Sequence, residues 1–116
     1  MAYIWKIKYY QSPSGNEPVY RFIESLPIKT KAKIYNTFEL LLEYGIQLGL
    51  PHVKKLASTP LWELRILGTN NIRVMYVALT EKTFLFLHGC IKKKQKTPIK
   101  DITTAVARFR EYMARY

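Results

Sequence analysis

The spacing of apolar and polar residues changes period along the chain, and each change predicts a new element. From Ala2 to Tyr10 it is two, with Tyr3, Trp5, Ile7 and Tyr9 on one face and Ile4, Lys6, Lys8 and Tyr10 on the other. That is the signature of a strand with one partly wet side. Ser12-Pro13-Ser14-Gly15 ends it as a loop. Asn16 is the expected cap of a short helix with Pro18 in its first turn; Val19, Phe22, Ile23 and Leu26 keep helical spacing until Pro27 stops it. A second helix is predicted from about Ile28 to Tyr44, with Ile34, Phe38, Leu41 and Leu42 as its apolar stripe and Gly45 as its C-terminal cap. Lys29, Lys31 and Lys33 crowd the start of that helix, where the dipole disfavours cations.

Gly49 to Pro60 reads as a connector carrying His52, Lys54 and Lys55. Three strand-like runs follow, Leu61–Leu67, Ile72–Leu79 and Thr83–Ile91, and their short joints GTNN and TEK make an antiparallel meander the economical arrangement. The third run, TFLFLHGCI, is apolar on both faces, so it belongs in the sheet interior. Thr97-Pro98 then signals a helix start, with Thr97 as N-cap and Pro98 at the first helical position. Its expected stripe is Ile102, Ala105, Val106, Phe109, Tyr112, Met113 and Tyr116, with Arg108, Arg110 and Arg115 elsewhere or at its edges. The order β-α-α-β-β-β-α predicts one α+β domain over residues 1–116, an antiparallel sheet packed with helices.

Strand faces fix a register. Trp62, Leu64 and Ile66 share one face and Glu63 and Arg65 the other; Ile72, Val74 and Tyr76 lie opposite Arg73. Burying both apolar faces requires Leu64 beside Val74 and Ile66 beside Ile72, because a slip of one residue turns every side chain over. Arg65 then faces Arg73, and two facing cations cost energy. Either Glu63 offsets them or an anion belongs between them; the plainer alternative is an exposed Glu63–Arg65 pair and a solvated Arg73.

The net charge of +11 sharpens this picture because it is lopsided. From His52 to Lys100 ten Lys or Arg stand against only Glu63 and Glu81. Such an excess points to a polyanionic partner, and its location in strands and the loop HGCIKKKQKTP favours nucleic acid over a membrane surface. A single cysteine, Cys90, excludes an internal disulfide; in an apolar strand it reads as a small buried hydrophobe. No apolar run is long enough to span a membrane, and MAYIWKIKYY lacks the features of a signal peptide, so a cytoplasmic location is expected. His52 and His88 show no metal-ligand spacing, and neither a phosphate-binding glycine loop nor a G-x-S-x-G elbow is present; no metal or cofactor is expected. The face taken by His88 cannot be read, and it stands as an RNA contact or a hydrogen-bonded structural residue.

LWELR, IRVMY, an apolar strand, HGCIKKKQKTP and IKDITTAVARFREY, in that order, resemble the RelE/ParE superfamily of toxins, in particular its HigB-like, phage-associated branch. The likeness extends to LPIKTKAKI and GLPHVKKL and so covers nearly the whole chain. It implies a RelE-like fold with a curved antiparallel sheet. It also implies a ribosome-dependent endoribonuclease that cleaves mRNA, and a helix-turn-helix antitoxin as partner. By the family pattern Glu63, Arg65, Arg73, Lys92, Lys93 and Lys96 occupy functional positions. Cleavage through the 2′-hydroxyl needs a base, charge stabilisation and a proton donor. The expected roles are Arg65 and Arg73 as phosphate clamp, Lys93 or Lys96 as base with Glu63 as rival, and Lys54, Lys55, Lys92 and Lys94 on flanking phosphates. The alternatives are a ParE-like inhibitor of gyrase and a non-catalytic nucleic-acid-binding domain.

Overall fold

The computed structural model describes residues 3–69, 71–93 and 96–116, and Lys94 of the RNA-binding set lies outside them. The elements are β1 (Lys6–Tyr9), α1 (Pro18–Glu24), α2 (Ile28–Tyr44), a 3-10 turn (Gly45–Gln47), β2 (Val53–Lys55), β3 (Trp62–Ile66), β4 (Ile72–Leu79), β5 (Thr83–Ile91) and α3 (Ile99–Arg115). They form an α+β structure in which five strands make one sheet in the order β1-β5-β4-β3-β2.

The sheet is mixed, which corrects the antiparallel expectation. β2 to β5 form an antiparallel run, but β1 lies parallel to β5, with Ile7 opposite Phe84 and Tyr9 opposite Phe86. The two helices between β1 and the meander are long enough to carry the chain back across the sheet, as a parallel pairing requires. β2 is an element the connector conceals: three residues are too few to show a period, and they are held by pairing Val53 with Leu64 and Lys54 with Glu63.

Each face of the sheet has its own core. On one, α1 and α2 bring Val19, Ile23, Ile34, Phe38 and Leu41 onto Leu64, Ile66, Val74, Tyr76, Phe84 and Phe86. Trp5 stacks on Phe84 at 4.4 Å between ring centroids and Phe38 meets Phe86 at 4.7 Å. Full burial of such side chains contributes about 1.5–3 kcal/mol each. Two glycines permit the fit. Gly45 ends α2 at φ +59 with Trp5 so near that a Cβ would lie 2.4 Å from its indole nitrogen, and a Cβ on Gly89 would lie 2.6 Å from the Phe22 ring. On the other face α3 covers Met75, Val77, Leu85 and Leu87 with Ala105 and Tyr112.

Helix ends and edges depart from expectation in three places. Asn16 does not cap α1; its backbone N–H donates to Ser12 Oγ and its amide to Ser14 Oγ, which closes the preceding loop instead. Met113 and Tyr116 are exposed and leave the stripe of α3; Tyr116, just past the helix end, stacks on Tyr112 beside Lys8 of β1. Arg108 instead faces the sheet: it follows Asp101 and Ala105 at positions i+7 and i+3, and its guanidinium donates to the Leu87 carbonyl at 2.8 Å.

Candidate functional site

The predicted register holds. Leu64 pairs with Val74, Ile66 with Ile72, and Arg65 with Arg73. On the α3 face this lays out two rows across the strands, Lys54–Glu63–Met75–His88 and Arg65–Arg73–Cys90. His88 and Cys90 reach this face through a bulge. Met75 pairs with His88 but Tyr76 with Phe86, so Leu87 is an extra residue, and the alternation of β5 is displaced by one after it. The apolar run TFLFLHGCI carries no sign of that shift, which is why the facing of His88 could not be read.

Glu63 is the centre of the arrangement. Only 1% of its side chain is exposed, and Oε1 lies 3.6 Å from Arg65 Nε and 3.6 Å from Arg73 Nε. Its other oxygen accepts a hydrogen bond from the Thr97 hydroxyl. The facing arginines are thus offset by a buried carboxylate, and the alternative of an exposed Glu63–Arg65 pair is excluded. Both Nε groups are beyond hydrogen-bonding distance of Oε1 and have no other partner among the described residues, so each arginine is held there by charge with donors to spare. Arg73 is the deeper of the two, 13% exposed against 24% for Arg65, and its NH1 donates to the Ile72 carbonyl at 3.0 Å. Burial, with Arg65 alongside, lowers the Arg73 pKa against the opposing pull of Glu63.

Thr97 therefore does not cap α3, as expected of it. Pro98 occupies the cap position, and among the described residues no side chain caps the helix. The hydroxyl that could have filled that role reaches across to Glu63.

Beside Glu63 a groove of about 380 Å³ is lined by Lys54, Lys55, Lys92, Lys96, Thr97 and the apolar Ile99 and Ile102. A second, of about 520 Å³, shares Lys96 and adds Lys93, Lys100, Cys90 and Asp101. Lys92 is the lysine that the cluster perturbs: partial burial lowers its pKa, and Arg73, Arg65 and Lys54 add to the effect while Glu63 opposes it. Lys93 and Lys96 are exposed, with Lys93 in the second groove and Lys96 common to both. Lys55 turns to the neighbouring loop, where its ammonium donates to the Thr59 carbonyl and lies over the Trp62 ring at 5.7 Å.

His88 belongs to a network that sequence reasoning missed. Its Nδ1 accepts from Arg108 NH1 at 3.1 Å, so its proton sits on Nε2 and is donated to Asp101 Oδ1 at 2.7 Å. Burial lowers the His88 pKa, with Arg108 adding and Asp101 opposing. Both ring nitrogens are engaged, and the trio pins the first turns of α3 to β5. The usable signal was the seven-residue spacing of Asp101 and Arg108, two charges on the apolar side of an amphipathic helix.

The fold also brings Cys90 to this trio. Ligand atoms of His88, Cys90 and Asp101 lie within 4.8 Å of one another, a proximity the sequence spacing does not reveal. The donor set fits a cation poorly. A metal on Nε2 would send the proton to Nδ1, where Arg108 already donates. Burial, with Asp101 and Glu63 nearby, also pushes the Cys90 thiol up to about 12, away from the thiolate a metal needs.

The arrangement is suited to holding a phosphodiester: two strand arginines offset by one buried carboxylate, beside a lysine-lined groove. A comparison with curated proteins finds no match. Residues 21–110 match the family described as phage-derived protein, Gp49-like. That span takes in β3, β4, β5, the basic loop and most of α3, and so all of Glu63, Arg65, Arg73, Lys92, Lys96 and Thr97. The chain belongs to this Gp49-like family, and through it to the RelE/ParE-like toxin superfamily.

Proposed function

We propose that the protein is the toxin of a toxin–antitoxin pair, of the HigB-like kind, and that it stops translation by cutting mRNA on the ribosome. The observation that carries this reading is the buried Glu63 between Arg65 and Arg73 at the edge of a groove lined by Lys54, Lys92 and Lys96. Membership of a toxin-like family related to RelE-type endoribonucleases supports it, and the α+β architecture is compatible with a RelE-like fold. A toxin of this kind implies a cognate antitoxin, for which a helix-turn-helix protein is the proposed candidate. Among the described residues no helix is long and apolar enough to cross a membrane.

The residues divide the chemistry as follows. The ribose 2′-hydroxyl attacks the adjacent phosphorus, the P–O5′ bond breaks, and the products are a 2′,3′-cyclic phosphate and a 5′-hydroxyl. Arg65, the more open of the pair, contacts the scissile phosphate, and Arg73 behind it adds positive charge to meet the dianionic transition state. Glu63 is the countercharge that lets the two stand side by side; with one oxygen on Thr97 and the other between the arginines, it is a poor base. Lys92, which lines the groove beside Glu63, takes the 2′-hydroxyl proton, and partial burial shifts its pKa downward, the direction a base requires. This moves the base from Lys93 and Lys96 to their neighbour. Lys96, common to both grooves, protonates the departing 5′-oxygen. Lys54 and Lys93 bind flanking phosphates.

Primer extension on an mRNA under translation tests the reading. New 5′ ends are expected with the protein present, and a single 2′-deoxyribose at the cut position should abolish that end alone. Continued cutting at the deoxy position would refute attack by the 2′-hydroxyl. Arrested growth with intact mRNA would refute the nuclease.

A further inference from the structure

The basic loop is fastened at both ends. At its start the Lys92 backbone N–H donates to the Asn71 carbonyl at 2.8 Å, which prolongs the pairing of β4 with β5. At its finish the Thr97 hydroxyl donates to Glu63, the carboxylate that also holds Arg65 and Arg73. The second fastening stands where the sequence offers a helix cap. Threonine ahead of a helix ordinarily caps it, a contribution of about 1 kcal/mol. Here Pro98 holds the cap position and Thr97 lies one residue outside it, so among the described residues no side chain caps α3, and the Thr97 hydroxyl donates to Glu63. A local rule given up in this way points to a function at the place where the group is used.

Glu63 needs that hydroxyl. A carboxylate 1% exposed requires hydrogen bonds, and the two arginine nitrogens at 3.6 Å supply charge without donating one. Thr97 also lines the groove beside Glu63, Lys92 and Lys96, so a single side chain touches the sheet's carboxylate and stands in the loop that carries the lysines.

We infer that Thr97 is a positioning residue: through Glu63 it sets the arginine pair relative to the basic loop, so that both walls meet one phosphodiester in a fixed geometry. This rests on the RNA-cleaving reading of the site. Thr97 touches no reacting atom. It acts by holding Glu63 in the orientation that faces both guanidinium groups, and a displacement of about 1 Å at such a place can slow a reaction roughly a hundredfold.

The test compares the full chain with Thr97→Val, which keeps the shape and loses the hydroxyl, and Thr97→Ser, which keeps the hydroxyl. Nitrogen NMR of the Arg65 and Arg73 Nε–H groups is read first, because Thr97 contacts Glu63 and not the arginines. Both resonances should move in Thr97→Val and return in Thr97→Ser. Cleavage of ribosome-bound mRNA should then show kcat about 10–100-fold lower for Thr97→Val, with KM within about threefold, and Thr97→Ser within about threefold of the wild type. Melting temperature confirms that each variant is folded. Unmoved arginine resonances would overturn the inference, as would a Thr97→Val that cuts at the wild-type kcat or a Thr97→Ser that stays slow. Absence of cutting by the wild type itself is a different failure: it removes the nuclease reading and the inference with it.

Discussion

The two faces of the sheet are built from the same strands, yet they are covered differently. The face under α1 and α2 is apolar from edge to edge, with Phe38, Phe86, Tyr76 and Phe84 joined ring to ring in that order. The face under α3 is apolar only where Leu85, Leu87, Val77 and Tyr112 meet; toward the start of α3 it becomes Glu63, Arg65, Arg73, His88 and Asp101. One helix covers part of a five-stranded sheet, and the part it leaves open carries the charges. The lesson is that one face is given wholly to packing while the other divides between a core under α3 and a cluster of charged side chains, with α3 and its lead-in loop as the boundary between the two.

The largest effect that would break this division is a cavity in the apolar face. Phe86 is fully buried, and Phe86→Ala should cost about 3–5 kcal/mol in chemical denaturation. A loss of cleavage without a loss of stability in that variant would mean the faces are not separate.

Salt comes next. If Lys54, Lys93, Lys96 and Arg65 each neutralise one phosphate, affinity for a non-cleavable 2′-O-methyl RNA should fall with a slope of about −3 in log salt, or roughly fiftyfold between 50 and 200 mM. Melting temperature should change little over the same range. A flat binding curve would remove the polyanion from the open half of the α3 face.

Glu63 sits on the boundary, so its removal should register on both scales. Glu63→Ala should destabilise by about 1–3 kcal/mol, because two facing arginines lose their countercharge. Arg65→Ala added to it should restore part of that loss. If the double variant is as unstable as the sum of the singles, Glu63 is not acting through the arginines.

The smallest effect is in pH. The folded protein lowers the His88 pKa from its ordinary 6.5, so the native state favours the neutral ring. Stability from this source is full above 6.5 and is lost as pH falls from 6.5 toward the lowered folded value, where the unfolded chain binds the extra proton. Asp101, Arg108 and Cys90 are the groups facing the ring. Thermal melts from pH 7.5 to 5 should show a decline that is shallower in His88→Gln. Equal slopes would place the acid sensitivity elsewhere.

Much of this contrast is legible in the chain. Period-two alternation set the β3–β4 register and so the facing of Arg65 and Arg73, and β4, β5 and α2 lie where their patterns put them. What stayed hidden depended on long-range partners. The direction of β1 is decided by how two helices return the chain, and β2 exists through its pairing with β3. Leu87 displaces a run in which both faces are apolar, so only the partner strand exposes the bulge. Thr97 satisfies a local capping pattern, but Pro98 takes the cap position and the Thr97 hydroxyl donates to a buried carboxylate 34 residues away. Lys92, one of a run of lysines in the sequence, is set apart by its partial burial, with Arg73, Arg65 and Lys54 adding to the effect.

The most direct measurement is single-turnover cleavage of ribosome-bound mRNA by the wild type and by Arg65→Ala, each with its melting temperature. The account predicts new 5′ ends from the wild type, a rate about 10²–10³-fold lower for Arg65→Ala, and melting temperatures within a few degrees of each other. A well-folded Arg65→Ala that cuts as fast as the wild type would contradict it.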